Sequence, residues 1–128
     1  MTLSDENPMK TVFIYDSTST SQVVLLAEVK TKTKVKTVVL NHSNLTVKLL
    51  NELVRKMQSG AACMLINENS PWYRCFSNDI NEMSESVLIQ TLTEYPSLLK
   101  TPIVVHEDEV LIDPTIEHIF DVYEDMYV

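Results

Sequence analysis

Glycine occurs once in this 128-residue chain, at Gly60, where an average soluble chain of that length holds roughly nine. Backbone that needs a positive φ or a very close approach is usually built on glycine, so the shortage narrows what the chain can fold into. Phosphate-cradling loops of the P-loop or GxGxxG kind need several glycines and are excluded. Collagen-like and propeller repeats are excluded too, and tight glycine hairpins must be few. The one position where glycine survives is thereby marked.

The remaining composition fits one ordinary domain, with 45% hydrophobic residues to build a core. No apolar run approaches the roughly 18–20 residues that span a bilayer. Residues 1–10 are polar and acidic, and read as a flexible leader without a hydrophobic signal region. The expectation is a cytoplasmic protein whose single domain covers 11–128, with a helical insert at about 44–92. Cys63 and Cys75 belong to no C-x-x-C pair, and the expectation for both is a buried or half-buried thiol. His42, His106 and His118 are scattered without ligand spacing, so neither a metal nor another cofactor is expected.

The formal charge of −8 hides an asymmetry. Residues 1–60 carry 8 basic and 5 acidic side chains, a balance of +3. Residues 61–128 carry 2 basic and 13 acidic ones, a balance of −11. An acidic half of this kind repels nucleic acid, so strong direct DNA binding and a membrane surface are not expected. It is either a solvated face or a dock for a basic partner.

Along the chain, Thr11–Tyr15 is an apolar run of β-formers and reads as a buried strand. The Ser- and Thr-rich stretch 16–21 supplies a helix cap. Gln22–Val29 reads as a helix with Val23, Val24, Leu26 and Ala27 available for burial. Lysine then alternates strictly at 30, 32, 34 and 36, which on a strand places all four on one face. An aggregation-proof edge strand explains this, and a nucleic-acid patch is the sharper alternative. Asn44–Met57 reads as a helix buried through Val47, Leu50, Leu53, Val54 and Met57, with Gly60 as a left-handed stop. Ser70–Arg74 suits a short helical turn, with Trp72 expected in the core. Ser84–Tyr95 is a further helix with Val87, Leu88 and Leu92 apolar, followed by strands at Pro102–Val105 and Val110–Ile112. Asp113-Pro114 opens a last helix with Ile116, Ile119, Phe120 and Tyr123 on one side.

The order β-α-β, a helical middle, then α-β-β-α is an α/β arrangement that resembles the thioredoxin-like plan. That plan has a four-stranded mixed sheet with its second strand at an edge. The segment Glu94 to Val105, EYPSLLKTPIVV, resembles the h-P-x-L-L-x-R-P-I-h-h motif (h, apolar) of the arsenate reductase/Spx family. Tyr15–Ser21 sits where Spx-type proteins carry Y-x-S-x-x-C-x-x-C. Spx-type proteins are bacterial regulators that bind RNA polymerase. The likeness runs over about residues 11–122.

Where the chain departs from this pattern, the resemblance implies a loss of chemistry. The family's redox cysteine falls at Thr20, and its second cysteine at Val23. The arginine before the proline, which supports anionic sulfur or an oxyanion, falls at Thr101. A threonine hydroxyl does not ionise usefully near neutral pH, and valine has no nucleophile. Thiol–arsenate chemistry and a Cys–Cys switch are therefore not expected, and any residual reductase would depend on Cys63 or Cys75. Pro102 corresponds to the family's cis proline. Lys100 is either exposed or an anion contact near the first helix. What the resemblance leaves is a binding surface. In Spx-type proteins a glycine after the second helix and an arginine on that helix meet the C-terminal domain of the RNA polymerase α subunit. The matching residues are Gly60 and Arg55, whose ordinary readings are a helix stop and a solvated side chain. The expectation is thus a monomeric, non-catalytic, redox-insensitive Spx-like regulator bound to the polymerase α subunit. The alternative is a thioredoxin-fold interaction module with a different partner.

Overall fold

The alternation of β-branched and aromatic residues in Thr11–Tyr15 forms the central strand of the sheet. The computed structural model describes residues 11–57 and 60–122. The expected leader, and Tyr123, Glu124 and Asp125, lie outside the described residues. In chain order the elements are β1 (Thr11–Tyr15), α1 (Thr20–Lys30), β2 (Val35–Val39), α2 (Val47–Lys56), α3 (Tyr73–Phe76), α4 (Glu85–Glu94), β3 (Ile103–His106), β4 (Glu109–Ile112) and α5 (Ile116–Val122). Short 3₁₀ turns occupy Ala62–Leu65, Ile80–Glu82 and Pro96–Leu98. No helix among the described residues is long and apolar enough to cross a membrane.

The chain divides into two compact units. The sheet unit combines residues 11–39 with 101–122. Its strand order is β2-β1-β3-β4, with β1 parallel to β2 and the other pairs antiparallel. In register, Phe13 pairs with Val104, and Val104 with Leu111. These three share a core with Leu26 and Val29 of α1 and Ile119 of α5. Side chains of the opposite parity, Val12, Ile14, Val38, Ile103 and Val105, are buried as well. That explains why the strands read as continuous apolar runs instead of alternating ones. This is the expected thioredoxin-like α/β sheet, with β2 at its edge.

The helical unit is Leu40–Lys100. Thr46 caps α2 by accepting the Leu49 N–H at 3.1 Å, and Ser84 caps α4 by accepting that of Val87 at 3.3 Å. The two helices pack together, and Leu49, Leu50, Leu53, Leu88, Ile89 and Leu92 are buried. The segment after the first 3₁₀ turn is tied to the unit's end. Asn67 N–H donates to Leu98 C=O, and Lys100 N–H to Leu65 C=O.

Several expectations need correction. The lysine row is not a strand face. Helix α1 runs on to Lys30 and ends in a turn whose N–H groups at 31, 32 and 33 return to the carbonyls of Glu28 and Val29. Lys30 therefore sits where the helix dipole favours a cation, Lys32 lies in the turn, and Lys34 is in the link before β2. Only Lys36 falls within β2. On α1 the inward side is Leu26 and Val29, while Ala27 is exposed and Val23 and Val24 are 43% and 51% exposed. Helix α2 begins at Val47, not Asn44, because Thr46 takes the cap, and this leaves Val47 exposed. Val87 is exposed on α4 for the same reason, one turn inside Ser84. Trp72 is not a core residue: it is 43% exposed, its ring tilted against Tyr95 at 4.7 Å. Cys63 and Cys75 are exposed as well, contrary to the burial expected of them.

Candidate functional site

Two places correspond to the residues singled out in the sequence, one in each unit. In the sheet unit, β1 delivers the chain to a tight loop before α1. Asp16 organises it: Oδ1 accepts the Thr18 N–H at 2.9 Å and its hydroxyl at 2.7 Å, while the carbonyl accepts the Ser19 N–H at 3.0 Å. This is the turn chemistry short acidic side chains favour. Ser19 is the N-cap, accepting the Gln22 N–H at 3.4 Å. Thr20 is thus the first helical residue and is exposed.

Gln22 ties this loop to the segment before β3. Its Oε1 accepts the Asp16 N–H at 2.8 Å, and its Nε2 donates to Thr101 Oγ1 at 3.1 Å. A backbone N–H can only donate, so the amide is fixed with its oxygen toward Asp16. The Thr101–Pro102 peptide is cis, as the family likeness implied, and Pro102 C=O accepts the Asp113 N–H at 2.7 Å. Ser21, Gln22, Leu25, Pro102, Asp113 and Pro114 line a cleft of about 250 Å³. Thr101 and Pro102 are therefore brought to the start of α1, near Thr20. Val23 is not among the residues lining the cleft and is exposed.

The polar residues lining this cleft are Ser21, Gln22 and Asp113, beside Leu25 and two prolines. They can donate and accept hydrogen bonds, but none between Asp16 and Val29 is a thiol. Among the described residues no group of three or more His, Cys, Asp or Glu side chains is placed to hold a metal ion. Gln22 and Asp113 were not singled out from sequence. The Asp16-Ser-Thr-Ser pattern carried a turn signal, whereas Gln22's reach across 79 residues to Thr101 left no local trace.

In the helical unit, Arg55 is exposed in the last turn of α2, where a cation suits the helix dipole. Met57 caps the helix in an extended conformation. Gly60 is left-handed as expected, but it lies three residues beyond the cap. Gly60 has φ +62°, is exposed, and donates its N–H to Met57 C=O at 3.2 Å. A Cβ built on it would meet nothing within 4 Å. Lys100 is exposed. Beyond Gly60 the chain passes through Ala61 to a fully buried Ala62, with Cys63 and Met64 exposed.

Comparison with proteins of known structure gives a consistent fold. An arsenate reductase from Vibrio cholerae superposes with a TM-score of 0.77 at 16% identity, over 91% of this chain and 99% of its own. A candidate arsenate reductase from Yersinia pestis gives 0.75 at 20% identity, over 87% and 98%. A Bacteroides fragilis protein described as related to the ArsC family gives 0.68 at 23% identity, over 94% and 99%. A search of curated proteins finds no match. At sequence level the ArsC family matches residues 15–113, from the end of β1 to the residue after β4. That span holds the α1 loop, the whole helical unit and the cis-proline segment, and on it the chain belongs to the ArsC family.

Proposed function

We propose that this ArsC-family protein is a redox-insensitive, non-catalytic regulator of the Spx type, which docks on the C-terminal domain of the RNA polymerase α subunit in the cytoplasm. Gly60 carries the reading. It is the chain's only glycine, it is exposed, and open space lies where a Cβ would project. Internal packing therefore does not demand the missing side chain. The turn offers bare backbone for a partner to approach. Arg55, exposed on the preceding helix, adds a planar, permanently charged donor. Thr20, Val23 and Thr101 replace the groups that thiolate chemistry would need, which supports a binding role over a catalytic one.

The test is a titration of the isolated α C-terminal domain with the wild-type protein and with Gly60→Arg and Arg55→Ala. The reading requires binding that both substitutions weaken. Arsenate turnover that depends on Cys63 or Cys75 would contradict the non-catalytic part.

A second reading is favoured by Val23 and Val24, whose exposure gives α1 an apolar outer side. A thioredoxin-fold interaction module would use it for a different partner. No binding to the polymerase domain, together with capture of another protein that Val24→Glu abolishes and Gly60→Arg does not, would select that arrangement.

A further inference from the structure

We infer that Glu85 is a positioning residue for the Gly60 turn, acting as a carboxylate latch that presets the surface offered to the partner; this rests on the docking reading above. Glu85 is the first residue of α4, and its carboxylate reaches back 23 residues in sequence to Ala62. Both oxygens face the Ala62 N–H, Oε1 at 3.1 Å and Oε2 at 3.0 Å. Ala62 is fully buried, so this N–H needs a partner inside the protein. It opens the 3₁₀ turn Ala62–Leu65, and the capping residue, Ala61, has no side chain that could serve. Glu85 supplies the acceptor the local sequence lacks. The bond is charge-assisted, which makes it stronger than a neutral one.

The consequence falls on Gly60. Its N–H is held from behind by Met57 C=O, and two residues ahead the backbone is pinned by Glu85. From the held Gly60 N–H to the held Ala62 N–H the chain passes only through Gly60, with φ +62°, and Ala61, extended at φ −119° and ψ 121°. An exposed turn containing glycine loses much conformational freedom when a partner orders it. A turn already held at both ends loses less, so binding is tighter for the same contacts.

The test combines amide hydrogen exchange at Ala62 with α-domain titration, on the full chain, for three substitutions. Glu85→Ala removes the latch. Glu85→Asp keeps a negative charge at the start of α4, where the helix dipole favours it, but is one methylene too short to reach. Glu85→Gln keeps the reach and an acceptor oxygen without the charge. The expected result is Ala62 exchange about tenfold faster in Glu85→Ala and Glu85→Asp, and only about threefold faster in Glu85→Gln. Affinity for the α domain should fall in the same rank order. A merely helix-stabilising role for Glu85 reverses it, with Glu85→Asp closest to wild type. Unchanged Ala62 exchange in Glu85→Ala overturns the latch. Faster exchange with unchanged α-domain affinity overturns its positioning role, while Gly60→Arg in the same titration reports separately on the docking reading. If the wild-type protein does not bind the domain, the docking reading fails and takes the positioning role with it; exchange then decides the latch alone.

Discussion

The sheet unit and the helical unit, both within the ArsC-family span, present different kinds of surface. In the sheet unit the frame of a thiol site is intact: a short loop, a capped helix start, and a cis proline beside them. The side chains inside it are Thr20, Gln22 and Thr101, and Gln22 bridges loop and proline segment with two hydrogen bonds. In the helical unit Arg55 and Gly60 are exposed, and the Gly60 and Ala62 N–H groups are each held by an acceptor. The contrast teaches that backbone geometry and reactive groups can be lost or kept separately. The sheet unit holds its loop, capped helix and cis proline around Thr20, Gln22 and Thr101, and the helical unit exposes a basic helix end and a glycine.

The comparison can be broken most forcefully at the cores. Phe13→Ala in the sheet unit should cost about 3–5 kcal/mol, and Leu53→Ala in the helical unit about 2–5 kcal/mol, read from denaturant midpoints. Both residues are fully buried, so a loss under 1 kcal/mol at either would show that its unit lacks the tight core described. Next comes Gln22→Ala, which removes two hydrogen bonds and should cost about 1–3 kcal/mol. It should leave α-domain affinity within about twofold, since the proposed docking surface is on the other unit. A large loss of affinity would move the surface to the sheet.

Thr20→Cys sharpens the contrast by returning a thiol to the helix start. Because thiols at such positions are acidified, it should react with an alkylating reagent at pH 7 about tenfold faster than Cys63 or Cys75. Equal rates would mean that the frame no longer activates a nucleophile. The smallest effects are at the caps. Thr46→Ala on α2 should cost about 1 kcal/mol, and Ser19→Ala on α1 less, because its bond is 3.4 Å long against 3.1 Å. Thermal or urea unfolding ranks the two, and the reverse order would contradict the capping geometry.

The strands and their order were legible because Thr11–Tyr15 and Ile103–Val105 are dense in β-branched residues and tertiary packing agrees with that preference. The segment leading into Pro102 was legible through its family likeness alone. What sequence misplaced were faces and ends. Val23, Val24 and Val47 read as inward alongside Leu26 and Leu50, yet helix rotation is set by which neighbours must be covered, so the leucines are buried and the valines exposed. The period-two lysines straddle a helix end, a turn and a strand, so their spacing carried no single geometry. At the candidate sites, Thr20, Thr101, Arg55 and Gly60 are singled out by their place in the family pattern. Gln22 and Glu85 were not, because each acts through one long-range bond that no local pattern announces.

The account's central claim is that the Gly60 turn is the docking surface, and titration of the polymerase α C-terminal domain tests it most directly. Any side chain but a small polar one strains a residue at φ +62°, costing about 1–2 kcal/mol of stability, so folding of Gly60→Arg is verified first by its unfolding midpoint. The account predicts that the wild-type protein binds the domain and that folded Gly60→Arg binds about a hundredfold more weakly, with Arg55→Ala between them. Equal affinity of wild type and Gly60→Arg, or no binding by the wild-type protein, would contradict it.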